Sequence, residues 1–186
     1  MNTNQRTSVV GLVSERVSDP SKRAEVFGEV HRLEQAGYSF EKATASLELL
    51  IRRVLSADPL PFSVLSYHVS MRSGERTHIC EASVMVNVGG KRFHEVSEGS
   101  GPLNALDKAI RIALSRAKFK GVQQVSLNDY NVSMLNGAPG TAAKTSVLIQ
   151  SGNGKKSWWT VGVSQNVVEA SLQALTDSIE YALVFG

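Results

Sequence analysis

Small and polar residues stand at two points where a predicted strand leads directly into a predicted helix. The first such elbow is Glu98-Gly99-Ser100-Gly101, and the second is Val163-Ser164-Gln165-Asn166. The start of a helix presents free N–H groups and a partial positive charge, so it suits a carboxylate or a phosphate. The side chains of Ser164 and Asn166 also suit ordinary helix caps. These residues alone favour a cap, with an anion site as the alternative.

A loop of small residues precedes the second strand of the chain's last third. It reads NGAPGTAAKT over residues 136–145, and its glycines and alanines would let a ligand or another backbone approach closely. The corresponding earlier loop, residues 73–77, is poorer in small residues. Such a loop is usually only a connection, but this difference favours a specialised role for the later loop.

The remaining reactive residue types form no pattern typical of an enzyme. Ser164 lies in G-V-S-Q-N, which is not the G-x-S-x-G motif of a nucleophile elbow. Asp129, Asp177 and Glu180 have no spacing that pairs two carboxylates. The histidines show no metal-binding spacing such as H-E-x-x-H: they are His31, His68, His78 and His94. We therefore predict no catalytic residue, no metal site and no cofactor.

The composition is that of a soluble globular chain. Its 186 residues are 42% hydrophobic and 20% charged, enough for one domain with a small appendage. The N-terminus MNTNQR has no apolar signal core, and no apolar run is long enough to span a membrane. A single cysteine, Cys80, excludes an internal disulfide and fits a reducing compartment. The predicted location is the cytoplasm.

Two helical patterns precede Pro59-Leu60-Pro61, which is a helix stop and a predicted hinge. The first pattern follows the cap cluster Ser18-Asp19-Pro20-Ser21 and ends at Ala36-Gly37, where glycine suits a left-handed terminal residue. The second pattern opens at Ser39 and keeps its apolar residues on one face. So short a connection predicts an antiparallel helical hairpin.

After the hinge, the period changes to that of strands, and one pattern occurs twice. In the first copy, three strands with a Gly89-Gly90 turn lead into a helix near Pro102. One constant offset between the copies aligns Val69 with Met134, Ala82 with Val147, Phe93 with Trp158 and Leu103 with Val168. Two βββα units with one sheet face each tend to pack about a pseudo-twofold axis.

The predicted fold class is therefore α+β: an N-terminal helical hairpin followed by two βββα repeats related by a pseudo-twofold axis. Sheet edges and helices left over after this packing favour a homodimer. The predicted boundaries are residues 1–20 for an N-terminal tail or linker remnant, 21–58 for the hairpin, and 59–186 for the double repeat, divided into 60–120 and 121–186.

Three segments resemble the C-terminal part of the citramalate synthase and 2-isopropylmalate synthase family. RLEQAGYSFEKATASLELLIRRVL (32–55) resembles the helical linker subdomain of citramalate synthases. SEGSGPLNALDKAIRIAL (97–114) resembles the E-G-x-G-P signature of the regulatory domain. Residues 127–183 resemble the second half of that domain. The resemblance spans residues 30–184.

The resemblance implies a dimeric regulatory domain of two βββα units that binds the end-product amino acid of the pathway. In the family, isoleucine binds to citramalate synthases and leucine to isopropylmalate synthases. The effector feeds back on a separate TIM barrel, which condenses acetyl-CoA with a 2-oxo acid using a divalent metal. A chain of 186 residues has no room for that barrel. We expect a non-catalytic domain that binds a branched-chain amino acid, isoleucine before leucine. It is either an excised fragment or a stand-alone protein, and Met1 favours the second.

The resemblance also implies which residues contact the effector, in three segments of the second repeat near the expected dimer interface. Under this hypothesis, N–H groups near Gln165 and Asn166 hold the effector's carboxylate, and Asp129 accepts its ammonium. Small alanines leave room for the branched side chain. The implied residues are Asp129, Tyr130, Gly140, Thr141, Ala142, Ala143, Val163, Ser164, Gln165 and Asn166.

Two other functions stay open. A ligand-free dimerisation protein would use the helical hairpin to dock a separate catalytic barrel chain. A double-stranded-RNA-binding module shares the α-βββ-α outline, and the net charge of +3 and the pI near 9.1 permit an anionic partner. The lysine-rich helix start of such modules is missing, however, and Glu169 would repel phosphate. We therefore expect neither nucleic acid nor a membrane as a partner.

Overall fold

The computed structural model describes residues 3–56, 58–74, 78–135 and 143–186. The chain opens with three helices, α1 (Thr3–Arg16), α2 (Pro20–Ala36) and α3 (Thr44–Leu55). Helix α1 occupies most of the range predicted as a tail or linker remnant, and it buries Val9 and Val13 against the hairpin. None of the described helices is long and apolar enough to cross a membrane.

Helix α2 has the predicted ends, whereas α3 begins later than predicted. The Asp19 carboxylate accepts the N–H group of Ser21 at 2.8 Å, and Gly37 closes the helix with φ of 108°. Helix α3 begins at Thr44 rather than at Ser39. The reason is that Phe40 is buried from the turn before the helix, where its ring stacks on that of Tyr38.

Two βββα units follow the hairpin, and each contains a three-stranded antiparallel sheet in sequential order. The first unit consists of β1 (Ser63–Ser73), β2 (His78–Val88), β3 (Lys91–Gly99) and α4 (Pro102–Arg116). The second consists of β4 (Ser126–Met134), β5 (Thr145–Gly152), β6 (Ser157–Ser164) and α5 (Val167–Phe185). The predicted α+β architecture is thus confirmed.

Helices α4 and α5 each lie on one sheet and also contact each other, so the two units share a hydrophobic core. The face of each sheet that meets its helix is called the inner face below. Burying this much aliphatic surface is the main force that holds the units together. Fully buried members of the core are Val84, Val86, Leu106, Ile110, Leu114, Val147, Ile149, Leu175 and Ile179.

The first strands of the two units do not follow the constant offset predicted from the sequence. Ala82 pairs with Val69, whereas Val147 pairs with Val132, and a bulge precedes both segments at equivalent positions. Val69 therefore corresponds to Val132, and its predicted alignment with Met134 was wrong. The second unit simply has two more residues between its first two strands: 147 − 132 = 15, against 82 − 69 = 13.

The helical hairpin covers the free edge of β6. The hydroxyl of Ser46 on α3 accepts the outward N–H group of Val161 at 3.1 Å, and Gln173 of α5 accepts that of Val163 at 3.0 Å. The Tyr38 hydroxyl donates to the same Gln173 side chain at 2.9 Å. Unpaired N–H groups at a sheet edge invite association with other strands, so these contacts protect the edge.

A charged cluster also joins the hairpin to α5. Arg53 donates to Asp177 at 2.7 Å and to Glu180 at 2.6 Å, and Ser46 donates to Asp177 at 2.7 Å. Burial opposes the charge on Arg53, but the two carboxylates outweigh it and raise the pKa of the guanidinium. The hairpin is therefore attached to the second unit by ionic and polar contacts as well as by apolar packing.

Candidate functional site

The starts of α4 and α5 lie close together and form the walls of a cavity of about 600 Å³. Strand β4 supplies the remaining wall. We call this space the helix-start cavity, and its lining residues are Ser100, Gly101, Pro102, Leu103, Asn104, Asp107, Leu127, Tyr130, Val167, Val168 and Ser171.

The start of α4 is open toward a ligand. No side chain among the described residues caps its first turn, and Pro102 has no N–H group. The Asn104 side chain turns away from this turn and accepts the N–H group of Ser100 at 3.2 Å. A Cβ atom at Gly99 would lie 2.5 Å from the backbone nitrogen of Ala105, so glycine is required where β3 passes α4. The N–H groups of Leu103 and Asn104 thus form a suitable place for an anion.

The start of α5, in contrast, is closed by its own side chains. Asn166 Oδ1 accepts the N–H groups of Val168 at 2.8 Å and Glu169 at 3.4 Å. Ser164 Oγ accepts the N–H group of Asn166 at 3.1 Å and donates to the Glu169 carboxylate at 2.6 Å. The predicted elbow is therefore a capped helix start, and Gln165 lies exposed within it.

Tyr130 and Asp129 are neighbours in sequence but lie on different faces of the second sheet. The Tyr130 hydroxyl lies 2.7 Å from Ser171 Oγ on α5, and its ring contributes to the helix-start cavity. Asp129 pairs with Gln150, and its carboxylate accepts the N–H group of Tyr130 at 2.8 Å. The structure therefore brings Tyr130, but not Asp129, to the helix starts.

The remaining predicted site residues lie toward the helical hairpin or outside the described chain. Val163 is buried in the apolar cluster that includes the hairpin helices, and Ala143 is buried just before β5. Gly140, Thr141 and Ala142 lie outside the described residues.

Asp107 is the one carboxylate among the residues that line the helix-start cavity. Burial raises its pKa above the ordinary value of 3.8, while Arg111, which donates to it at 2.8 Å, acts in the opposite direction. Asp107 was not among the residues predicted from the sequence, although it lies in the segment 97–114 that resembles the regulatory domain. It gives the helix-start cavity a negative group about one turn along α4 from the open helix start.

Metal-ligating side chains do not gather anywhere in the part of the chain that the structure describes. No three His, Cys, Asp or Glu side chains lie together there as ligands for one ion. The helix-start cavity combines free N–H groups, one carboxylate and apolar walls. This combination suits a small zwitterion with a hydrocarbon side chain.

Comparison with known proteins bears directly on these features. The sequence model of the LeuA allosteric (dimerisation) domain matches residues 41–183, which include both βββα units. The chain belongs to this family. The matched range also contains all the residues that line the helix-start cavity.

Individual relatives of this LeuA-type domain are whole synthases. The (R)-citramalate synthase of Geobacter sulfurreducens is 45% identical over 161 residues, which are 86% of this chain and 30% of that protein. The (R)-citramalate synthase of Synechocystis is 39% identical over 98% of this chain and 34% of its own length. The 2-isopropylmalate synthase of Pseudomonas syringae is 25% identical over 90% of this chain and 27% of its own length.

The chain thus spans about a third of the length of these relatives. The match to the Synechocystis enzyme includes the helical hairpin as well as the two units. The predicted family is confirmed. The described residues form two small sheets with their helices and do not include a catalytic barrel.

Proposed function

We propose that this chain is a regulatory, dimer-forming part of a citramalate synthase-type enzyme. In this proposal it binds a branched-chain amino acid in the helix-start cavity, isoleucine in preference to leucine. The effector then exerts feedback control on a catalytic barrel. The observation that carries the proposal is the uncapped start of α4 beside the half-buried carboxylate of Asp107.

Each part of an amino acid has a matching part of the cavity. The N–H groups of Leu103 and Asn104 take the carboxylate, which the positive end of α4 stabilises further. Asp107 takes the ammonium group. The branched side chain lies among the apolar lining residues, which are Pro102, Leu103, Leu127, Val167 and Val168.

This proposal changes the roles of the site residues that were predicted from the sequence. Tyr130 stays in the site as part of the wall, held by its contact with Ser171. Asp107 replaces Asp129 as the partner of the ammonium, because Asp129 lies on the opposite sheet face. The elbow Val163–Asn166 stays a predicted element of the site, with Asn166 fixing the first turn of α5 that borders the cavity.

The proposed homodimer rests on two apolar stripes. The sequence Tyr-x-Val-Ser-Met occurs at residues 67–71 of β1 and again at residues 130–134 of β4. Its apolar side chains lie on the inner faces of the sheets, in the part that α4 and α5 do not cover. Both Met71 and Met134 are 69% exposed. Paired apolar stripes on a folded domain mark an association surface, and a second copy is the proposed occupant.

The effector proposal is tested by calorimetric titration of the purified chain with isoleucine, leucine and valine, with its mass measured by light scattering. We expect a dimer that binds isoleucine most tightly. The preference over leucine should be small, because one methyl position in an apolar pocket is worth only about 1–3 kcal/mol.

Two variants locate the site. Asp107→Asn removes the charge that holds the ammonium and should weaken isoleucine binding at least about tenfold, since a hydrogen bond to a charged group contributes about 1.5–3 kcal/mol. Asp58→Asn, on an exposed residue outside the cavity, is the matched control and should leave the affinity unchanged. A dimer that binds none of the three amino acids would instead support the ligand-free structural role.

A further inference from the structure

The helix-start cavity has a counterpart under the pseudo-twofold relation, lined by the hinge before β1 and by α5. We call it the hinge cavity; its volume is about 540 Å³. Val64 and Tyr67 of β1 line the hinge cavity. They are equivalent in position to Leu127 and Tyr130, which line the helix-start cavity. The lining of the hinge cavity also includes Arg53, Leu60, Phe62, Glu169, Leu172 and Glu180.

The hinge cavity lacks the open helix start that suits a carboxylate in the helix-start cavity. Asn166 closes the start of α5, whereas the start of α4 is open. When the two helices are aligned as the repeat predicts, Glu169 stands where the first unit has Asn104, and Leu172 stands where it has Asp107. A ligand carboxylate placed here would meet Glu169 and no free helix N–H groups, and the guanidinium of Arg53 is already paired with Asp177 and Glu180.

The carboxylate of Glu180 indicates independently that the hinge cavity suits a positively charged ligand. The residue is only 4% exposed, and its Oε2 atom accepts from Arg53 at 2.6 Å. Its Oε1 atom is buried and has no hydrogen-bond partner among the described residues. Buried carboxylate oxygens in folded proteins normally have partners, because an unpartnered charge inside a protein is costly.

The local charge balance leaves the hinge cavity negative. A single guanidinium, that of Arg53, is shared between Asp177 and Glu180, and Glu169 adds a further carboxylate to the lining. Leu60, Phe62 and Leu172 offer apolar surface in the same cavity. A suitable ligand therefore carries a positive hydrogen-bond donor on a hydrocarbon body.

We propose that the hinge cavity binds a primary aliphatic ammonium ion. The ammonium group donates a hydrogen bond to Oε1 of Glu180, and the hydrocarbon part lies against Leu60, Phe62 and Leu172. This site is distinct from the helix-start cavity and does not depend on the effector proposed for it.

The test is calorimetric titration of the whole chain with isopentylamine and, separately, with leucine. These probes share a hydrocarbon body and an ammonium group, but only leucine has a carboxylate. We expect Glu180→Gln to weaken isopentylamine binding at least tenfold and to change leucine binding far less. Glu95→Gln is the matched control, because Glu95 is also a buried glutamate paired with an arginine, Arg116, and lies outside the hinge cavity.

A second variant keeps the test decisive if Glu180→Gln unfolds. Leu60 is 44% exposed, so Leu60→Lys should fold while it places a competing positive charge at the cavity mouth. It should weaken isopentylamine binding at least tenfold. Absence of isopentylamine binding, or binding that both Glu180→Gln and Leu60→Lys leave unchanged, would overturn the proposal.

Discussion

The contact between α5 and β6 leads to the sharpest stability prediction. A Cβ atom added at Gly162 would lie 2.0 Å from the carbonyl oxygen of Ala170 and 2.9 Å from the backbone nitrogen of Ala174. Both neighbours are backbone atoms of α5, so no side chain can rotate away to make room. Gly162→Ala therefore requires the helix itself to move away from the sheet.

The size of the effect follows from this geometry. Cβ atoms do not approach other atoms closer than 3.0 Å, so the helix must move by about 1 Å, from 3.0 − 2.0. Overpacking of a well-packed core costs about 1–3 kcal/mol, and a clash with backbone belongs at the upper end. At about 2–4 °C per kcal/mol for a protein of this size, a loss of about 3 kcal/mol lowers Tm by about 6–12 °C.

Thermal unfolding followed by circular dichroism and by tryptophan fluorescence, to which the buried Trp158 contributes, measures this change. Gly28→Ala is the matched control, because no atom lies within 4 Å of its added Cβ in the middle of α2. That substitution should raise stability by about 0.5–1 kcal/mol, since alanine favours a helix over glycine. If Gly162→Ala unfolds within about 2 °C of the unsubstituted chain, then α5 does not rest on β6 as described.

Three further predictions concern caps, charges and pH. Asn166→Ala removes the cap of α5 and should cost about 1 kcal/mol in urea unfolding, whereas Asn166→Ser should retain most of it. Arg53→Met leaves Asp177 and Glu180 without their cation and should cost about 2–3 kcal/mol, less than a fully buried pair because Arg53 is partly exposed. A double-mutant cycle with Glu180→Gln measures that coupling. Isoleucine affinity should fall as the pH drops toward the raised pKa of Asp107, because protonation removes the negative charge that attracts the ammonium. Calorimetry of Asp107→Asn should show no such fall.

Elements with local signals were predictable from the sequence. Helix α2 has an aspartate cap at Asp19 and a terminal glycine at Gly37, and both act within a few residues. The Gly89-Gly90 turn fixes the hairpin between β2 and β3 in the same way, since both glycines have positive φ. Helix α1 was missed because its sequence mixes glycine, threonine and valine, which are weak helix formers, and tertiary burial of Val13 decides its conformation.

The site was less predictable because its parts come from distant positions. A constant offset between the repeats concealed a two-residue insertion, although the repeated Tyr-x-Val-Ser-Met sequence, which starts at Tyr67 and at Tyr130, contained the correct register. The pairing of Arg53 with Asp177 spans 124 residues, and no local pattern indicates it. Only the second elbow is capped by a side chain. Asn166 accepts an N–H group of its own first helical turn, whereas Asn104 accepts that of Ser100, and this difference arises only in the folded chain.

Helix α5 contacts both the proposed ligand site and the helical hairpin, so it could transmit an effect of ligand binding to the hairpin. Its first turn borders the helix-start cavity, and farther along it Gln173, Asp177 and Glu180 hold the hairpin through Tyr38, Ser46 and Arg53. A ligand changes a distant element only if it binds two arrangements of the protein with different affinity. Because α5 is one continuous helix, a shift of its first turn must alter the hairpin contacts or strain the helix between them. The Arg53→Met variant weakens that attachment. In this variant, effector binding should therefore no longer change the position of the hairpin.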